Sequence, residues 1–201
     1  MRIAPLIIAI GIAAIVLLRF HWSTLRGNSG NDFASCRLGV RREERGCFGL
    51  RTVVTQDGEA YIDVFSRERV RCTDPAAGQE FVYLELIDEF RERITGRQTC
   101  FVIVQYHLKS LDVGQIAQDP GANIVMEFRS DRDPFTRVAV PAAMTDGWQS
   151  AVFSIHGGQF GRSRRKEYSR QAMDADFRIS AQTAESIVAV SFREVAVVLD
   201  G

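Results

Sequence analysis

Histidine is scarce in this chain, at 3 of 201 residues, and lysine scarcer, at 2. No G-x-S-x-G, H-E-x-x-H or C-x-x-C run occurs. Those absences remove nucleophile-elbow hydrolases, helical zinc peptidases and paired-thiol zinc or iron–sulfur centres. Only His107 and His156 lie beyond the first thirty residues, which leaves little material for a catalytic triad. No internal repeat of fixed period is present. A net charge of zero, from 25 basic and 25 acidic groups, gives no electrostatic reason to expect nucleic acid as a partner.

The charge is unevenly spread. Every acidic residue follows position 31, whereas Arg2, Arg19 and Arg26 flank an uncharged run, IAPLIIAIGIAAIVLL, at residues 3–18. Sixteen helical residues span about 24 Å, slightly less than a ~30 Å hydrocarbon core. Phe20, His21 and Trp22 extend the run into the interfacial belt. A cleaved signal peptide needs small residues at its cleavage site, and Leu17, Leu18, Arg19 and Phe20 are bulky. The segment 1–22 is therefore expected to be an uncleaved transmembrane anchor, with the membrane as a partner through residues 3–18. Residues 23–32, STLRGNSGND, read as a flexible linker, and 33–201 as the folded domain. The domain is expected outside the cytoplasm, periplasmic or extracellular.

The four cysteines, Cys36, Cys47, Cys72 and Cys100, form an even set behind an export-type segment. Two disulfides are expected, paired in sequence order as Cys36–Cys47 and Cys72–Cys100.

Beyond the linker the chain is punctuated like a β protein. Short runs rich in Val, Ile, Phe and Tyr alternate with turn signals at 56–58, 73–75, 119–121, 133–134, 146–147 and 157–158. In 101–108, Val102, Val104, Tyr106 and Leu108 share one face; in 124–129, Ile124, Met126 and Phe128 do. Near the end, Val188, Val190 and Phe192 are in phase with one another, then Val195, Val197 and Leu199 in the opposite phase. That change around Arg193 and Glu194 predicts a bulge, because an unbroken strand would turn the second set to the other face. Further strands are expected near 52–55, 60–65, 69–72, 80–87, 136–140, 148–155 and 175–180. The stretch 84–94, LELIDEFRERI, reads as a strand followed by a loop or short helix. About ten strands with short connections make a single antiparallel β-sandwich.

Four segments of the last eighty residues carry a resemblance: ANIVMEFRS at 122–130, Gly147, Trp148 and Gln149 opening a strand to Ile155, FRIS at 177–180, and VSFREVAVVLDG at 190–201. Their order resembles carbohydrate-binding modules of the galactose-binding-like jelly-roll type. The resemblance implies a jelly-roll and the binding of a glycan. Arg193 stands where that family often has one of an acidic pair, so no metal site is carried over there.

The most distinctive local stretch is GGQFGRSRRKEYSR at 157–170, where Arg162, Arg164, Arg165, Lys166 and Arg170 are interleaved with Phe160 and Tyr168. Such a loop attracts anions: lipid headgroups, acidic glycans or an acidic protein face. Trp148 and Tyr168 are the candidate aromatic platform for a glycan, with Arg162, Arg164, Arg165 and Lys166 adding charge. No cofactor is expected, apart from calcium on loop carboxylates: Asp57 with Glu59, Asp131 with Asp133, and Asp200. Glu85, Asp88 and Glu89 approach the E-x-D-x-E of one class of β-sandwich glycosidases, but Glu85 and Asp88 have opposite parity on a strand. His107 is expected at the solvent face beside Gln105 and Lys109, and His156 at a strand end. The expectation is a non-enzymatic, membrane-tethered β-sandwich binding a glycan or another envelope component. An assembly subunit of an envelope complex and a glycan hydrolase are the alternatives.

Overall fold

A computed structural model describes residues 32–39, 47–53, 61–65, 67–95, 99–108, 121–128, 136–143, 147–156, 175–184 and 186–200. The chain divides into two units, Met1–Asn31 and Asp32–Gly201, and all described residues belong to the second. Among them no helix is long and apolar enough to cross a membrane. The expected anchor at 3–18 lies outside the described residues.

Thirteen strands are described: β1 Phe33–Arg37, β2 Cys47–Phe48, β3 Leu50–Val53, β4 Tyr61–Phe65, β5 Glu68–Cys72, β6 Val82–Leu86, β7 Cys100–Leu108, β8 Asn123–Phe128, β9 Thr136–Pro141, β10 Gln149–Ile155, β11 Phe177–Gln182, β12 Ile187–Val188 and β13 Val190–Leu199. One helix, α1 at Asp88–Thr95, follows β6, where the sequence suggests a loop or short helix. The first sheet runs β10-β7-β13-β1-β2, with β5 also on β13 and β4 on β5. The second runs β3-β6-β11-β8-β9, with β12 on β11. Their strand pairings are antiparallel.

The core lies between the sheets, where period two sends alternate apolar residues inward. Val102, Val104 and Tyr106 from β7 meet Ile124, Met126 and Phe128 from β8 in one buried cluster. Phe153, Phe177 and Phe192 join them with no exposed surface. Burying each such ring is worth roughly 2–3 kcal/mol before entropy is charged against it. The expected bulge is present: Phe192 faces Tyr106 and Glu194 faces Gln105, so Arg193 is the extra residue. Because of it, Val190 and Phe192 on one side, and Val195, Val197 and Leu199 on the other, all reach the core.

Turn chemistry is equally local. Asp74 accepts from the Ala76 and Ala77 N–H groups at 3.1 and 3.3 Å and starts the 3-10 turn Pro75–Ala77. Gly39 has φ of +93°, and a Cβ there would lie 2.6 Å from the Arg69 carbonyl carbon. Only glycine lets the end of β1 pass so close to β5.

The cysteines divide. Cys36 and Cys47 face each other across β1 and β2 and are bonded, as expected. The second expected disulfide is absent: Cys72 and Cys100 are both free and buried. Cys72 lies opposite Ser191, with sulfur and hydroxyl 3.2 Å apart, whereas Cys100 lies opposite Leu199. Eight residues of one strand separate those positions, about 25 Å, against the ~7 Å between Cα atoms that a disulfide tolerates. Burial pushes the Cys100 thiol up to about 12, which makes it inert at neutral pH.

Candidate functional site

The strand registers give the sandwich two distinct ends. At one, Phe33 opens β1 opposite Val198, Phe101 follows the start of β7, and Ile155 closes β10. At the other, Gln149 opens β10 opposite Tyr106, and β8, β9 and β11 meet at Asn123, Pro141 and Gln182. The two ends of β10 are about 20 Å apart. Tyr106 ties the sheets together at the second end, where the Ala143 N–H donates to its hydroxyl at 2.7 Å. Burial raises the Tyr106 pKa above the usual phenol value, and that N–H pulls it back.

Trp148 lies at the second end. Gly147, with φ of +96°, makes the turn that delivers it to the outer face of the first sheet. The indole is half-buried. His107 packs edge-on against it with ring centroids 6.2 Å apart. The Arg193 guanidinium lies 5.7 Å from the indole centroid, a cation–π contact. Arg193 is the bulged residue of β13, and a bulge re-aims a side chain that regular pleating would point elsewhere. Glu68 holds it from two sides, with Nε to Oε2 at 2.8 Å and an Nη contact to Oε1 at 3.0 Å. Arg37 approaches the same carboxylate at 3.4 Å. Burial raises the pKa of neighbouring Glu194, opposed by the charges of Arg37 and Arg193. His107 is thus partly buried against the indole, and not simply at the solvent face as its strand parity suggests.

The second sheet carries a hollow of about 510 Å³ at the same end. Gly121, Asn123, Arg137, Gln182, Thr183, Ala184, Ser186 and Ile187 line it. Arg137 crosses the intervening strand to donate to the Gln182 carbonyl at 2.7 Å, while the Gln182 amide donates to Ser180 Oγ at 2.9 Å. The Asn123 amide donates to the Gly121 carbonyl at 2.8 Å. The turn after β11 closes through Thr183 N–H to Ser186 O at 2.8 Å and Ser186 N–H to Thr183 Oγ1 at 3.1 Å. Among the described residues, its polar walls are amides, hydroxyls and the Arg137 guanidinium, with Ile187 as an apolar one.

The opposite end of the second sheet's outer face is filled with charge pairs. Arg91 meets Asp176 at 2.8 Å and Asp88 at 2.5 Å, and approaches Glu85 at 3.6 Å. Asp176 also accepts from the Leu86 N–H at 2.7 Å. Glu85 and Asp88 do come together, because β6 ends at Leu86 and Asp88 begins α1. They meet around the Arg91 guanidinium.

Of the other residues singled out from the sequence, Tyr168, Arg162, Arg164, Arg165 and Lys166 lie outside the described residues, as do Asp57, Glu59, Asp131 and Asp133. The described flanks of that loop, His156 and Ala175, are at the Phe33 end, remote from Trp148. Asp200 is exposed after β13, also at that end. Among the described residues no three acidic, histidine or cysteine side chains converge to hold a metal. Sequence reasoning missed Arg193, Glu68, Asn123, Arg137 and Gln182. The phase change at Arg193 was the one signal available for any of them.

No family model matches the sequence and no curated protein matches it. Among solved structures, the chain is similar to the CBM22-1 xylan-binding domain from Paenibacillus barcinonensis Xyn10C, at 10% identity and a TM-score of 0.41, over 82% of this chain and 92% of that one. It is also similar to the C-terminal family 22 carbohydrate binding module of Clostridium thermocellum Xyn10B, at 10% identity and a TM-score of 0.25, over 88% and 89% of the two chains. Both are carbohydrate-binding modules, the type that the C-terminal segments resemble. So distant a likeness carries no argument about this chain's ligand.

Proposed function

We propose that this chain is a membrane-tethered, extracytoplasmic β-sandwich of jelly-roll type that binds a glycan or another cell-envelope component without transforming it. The observation that carries this reading is the half-buried Trp148 on the outer face of the first sheet, at the same end of the sandwich as the polar hollow of the second. A partly exposed indole flanked by His107 and Arg193 suits a sugar ring, whose faces are apolar and whose rim is hydroxyl-rich. The Cys36–Cys47 bond fits an oxidising compartment outside the cytoplasm. The basic residues of 157–170 would find anionic partners in lipid headgroups or acidic glycans.

The test is retention of the detergent-solubilised full chain on immobilised envelope polysaccharide. Wild type is expected to be retained, and Trp148→Ala to lose about tenfold in affinity, near 1.4 kcal/mol, with unchanged circular dichroism. Equal retention of the variant removes Trp148 from the site, and no retention of either protein overturns the reading.

One observation favours assembly as a second reading. Ile62 and Val64 are 42% and 64% exposed on β4, which pairs only with β5 among the described strands. An apolar edge strand is a template for a partner strand. Stoichiometric co-purification of one envelope protein, lost on Val64→Lys, would favour it.

A further inference from the structure

Trp148 sits just before β10, after a glycine turn that leaves room around it: no described residue comes within 4 Å of where a Cβ on Gly147 would lie. Such a turn delivers the indole to the outer face without fixing which way it points. The bulge in β13 supplies a group that can. Phe192 and Val195 both reach the core, so the two residues between them, Arg193 and Glu194, both take the outer face of the first sheet. From there the Arg193 guanidinium lies 5.7 Å from the indole centroid while meeting the Glu68 carboxylate, Nε to Oε2 at 2.8 Å and Nη to Oε1 at 3.0 Å. Two contacts to one carboxylate fix the plane of a guanidinium as well as its position. Arg37, 3.4 Å from Glu68 Oε1, ties the same carboxylate to β1. Stiffness thus passes from β5 and β1 through Glu68 and Arg193 to the indole. An aromatic ring already held in one orientation loses less freedom when a ligand stacks on it, and that saving appears as affinity.

We propose that Arg193 is the positioning residue of the Trp148 site, with Glu68 as its anchor, and that the pair holds the indole in the orientation that receives a sugar ring. This rests on the glycan-binding reading above and says how that site is kept ready. Arg193 acts through Trp148 and needs no contact with the ligand. Lysine would supply the charge but not the two-point pairing with Glu68.

The experiment joins retention on the same immobilised envelope polysaccharide to tryptophan fluorescence. It uses the detergent-solubilised full chain carrying Trp22→Phe, which leaves Trp148 as its one indole. Arg193→Met is expected to weaken retention about fivefold and Glu68→Gln about twofold, with unchanged circular dichroism. Without ligand, both are expected to lower the anisotropy of Trp148 emission and to increase its quenching by acrylamide. Arg193→Lys is expected to behave like Glu68→Gln, since the charge stays and the fork is lost. Adding Arg193→Met to Trp148→Ala is expected to weaken retention no further, because the arginine works through an indole that is gone.

Retention and anisotropy unchanged by Arg193→Met overturn the proposal, as does weakened retention with an unchanged indole signal. A further loss in the Trp148→Ala background would make Arg193 a direct ligand contact and overturn the positioning role. Should Arg193→Met unfold the chain, Glu68→Gln carries the same two readouts, and no change in either overturns the proposal. If retention depends on Trp148 but on neither Arg193 nor Glu68, this inference falls and the glycan-binding reading stands. If wild type is not retained at all, both fall.

Discussion

The outer face of the second sheet bears arginines towards each of its ends, in contrasting company. Towards α1, Arg51 meets Glu85 with Nε to Oε2 at 2.7 Å, and Arg91 meets Asp176 and Asp88. Arg178 meets Glu127 at 2.5 Å while stacking 3.8 Å from the Phe81 ring centroid. Arg137, on the next strand but one from Arg178, reaches the other way to the neutral Gln182 side chain. Arg178 and Arg137 even share a cross-strand neighbour, since both lie opposite Glu127. One of them takes the ion pair and the other is left with an amide. An arginine whose charge is met inside the protein holds elements together, whereas one met only by neutral groups is available to a ligand.

Substitutions in the two regions should therefore separate stability from binding. The largest stability loss is expected for Asp176→Ala, about 3 kcal/mol in denaturant unfolding, because Arg91 and the Leu86 N–H both lose a buried partner. A loss below about 1 kcal/mol would mean that this region is not structural. Arg178→Met is expected to cost about 2 kcal/mol. The stem still packs on Phe81, but Glu127, with only 15% of its side chain exposed, is left to Arg137 alone. If Glu127 then captures Arg137, the bond from Arg137 to Gln182 is lost as well, which would couple the two regions. Arg137→Gln should change stability by no more than about 0.5 kcal/mol, as for other exposed surface substitutions. A destabilisation as large as that of Asp176→Ala would erase the distinction.

Much of the fold was legible because it depends on local patterns. The alternation in β7 and β8, the phase change at Arg193, the Asp74 turn and the glycine before Trp148 each involve residues within a few positions of one another. The boundary between β6 and α1 was half legible, since Leu84, Ile87, Phe90 and Ile94 fit both periods. The strands β1, β2 and β12 carried too little pattern to be singled out. The site was less legible than the fold. Trp148 was found through its glycine turn, but its companions were not, since Arg193 and Glu68 are 125 positions apart in sequence. Arg137 and Gln182 are 45 apart, and nothing in either neighbourhood announces the other.

The sequence by itself determined which residues face inward, where β13 must bulge and where the chain must turn. Hydrophobic periodicity and backbone sterics act over a few residues, so they can be read one segment at a time. Tertiary structure alone decided which arginines find carboxylates, which cysteines meet and that Trp148 and the hollow share an end of the sandwich. Cys36 and Cys47 were brought together across adjacent strands, whereas Cys72 and Cys100 were placed along the length of β13. Those outcomes depend on strand order and register. These are fixed by the packing of the whole core, which no single segment encodes.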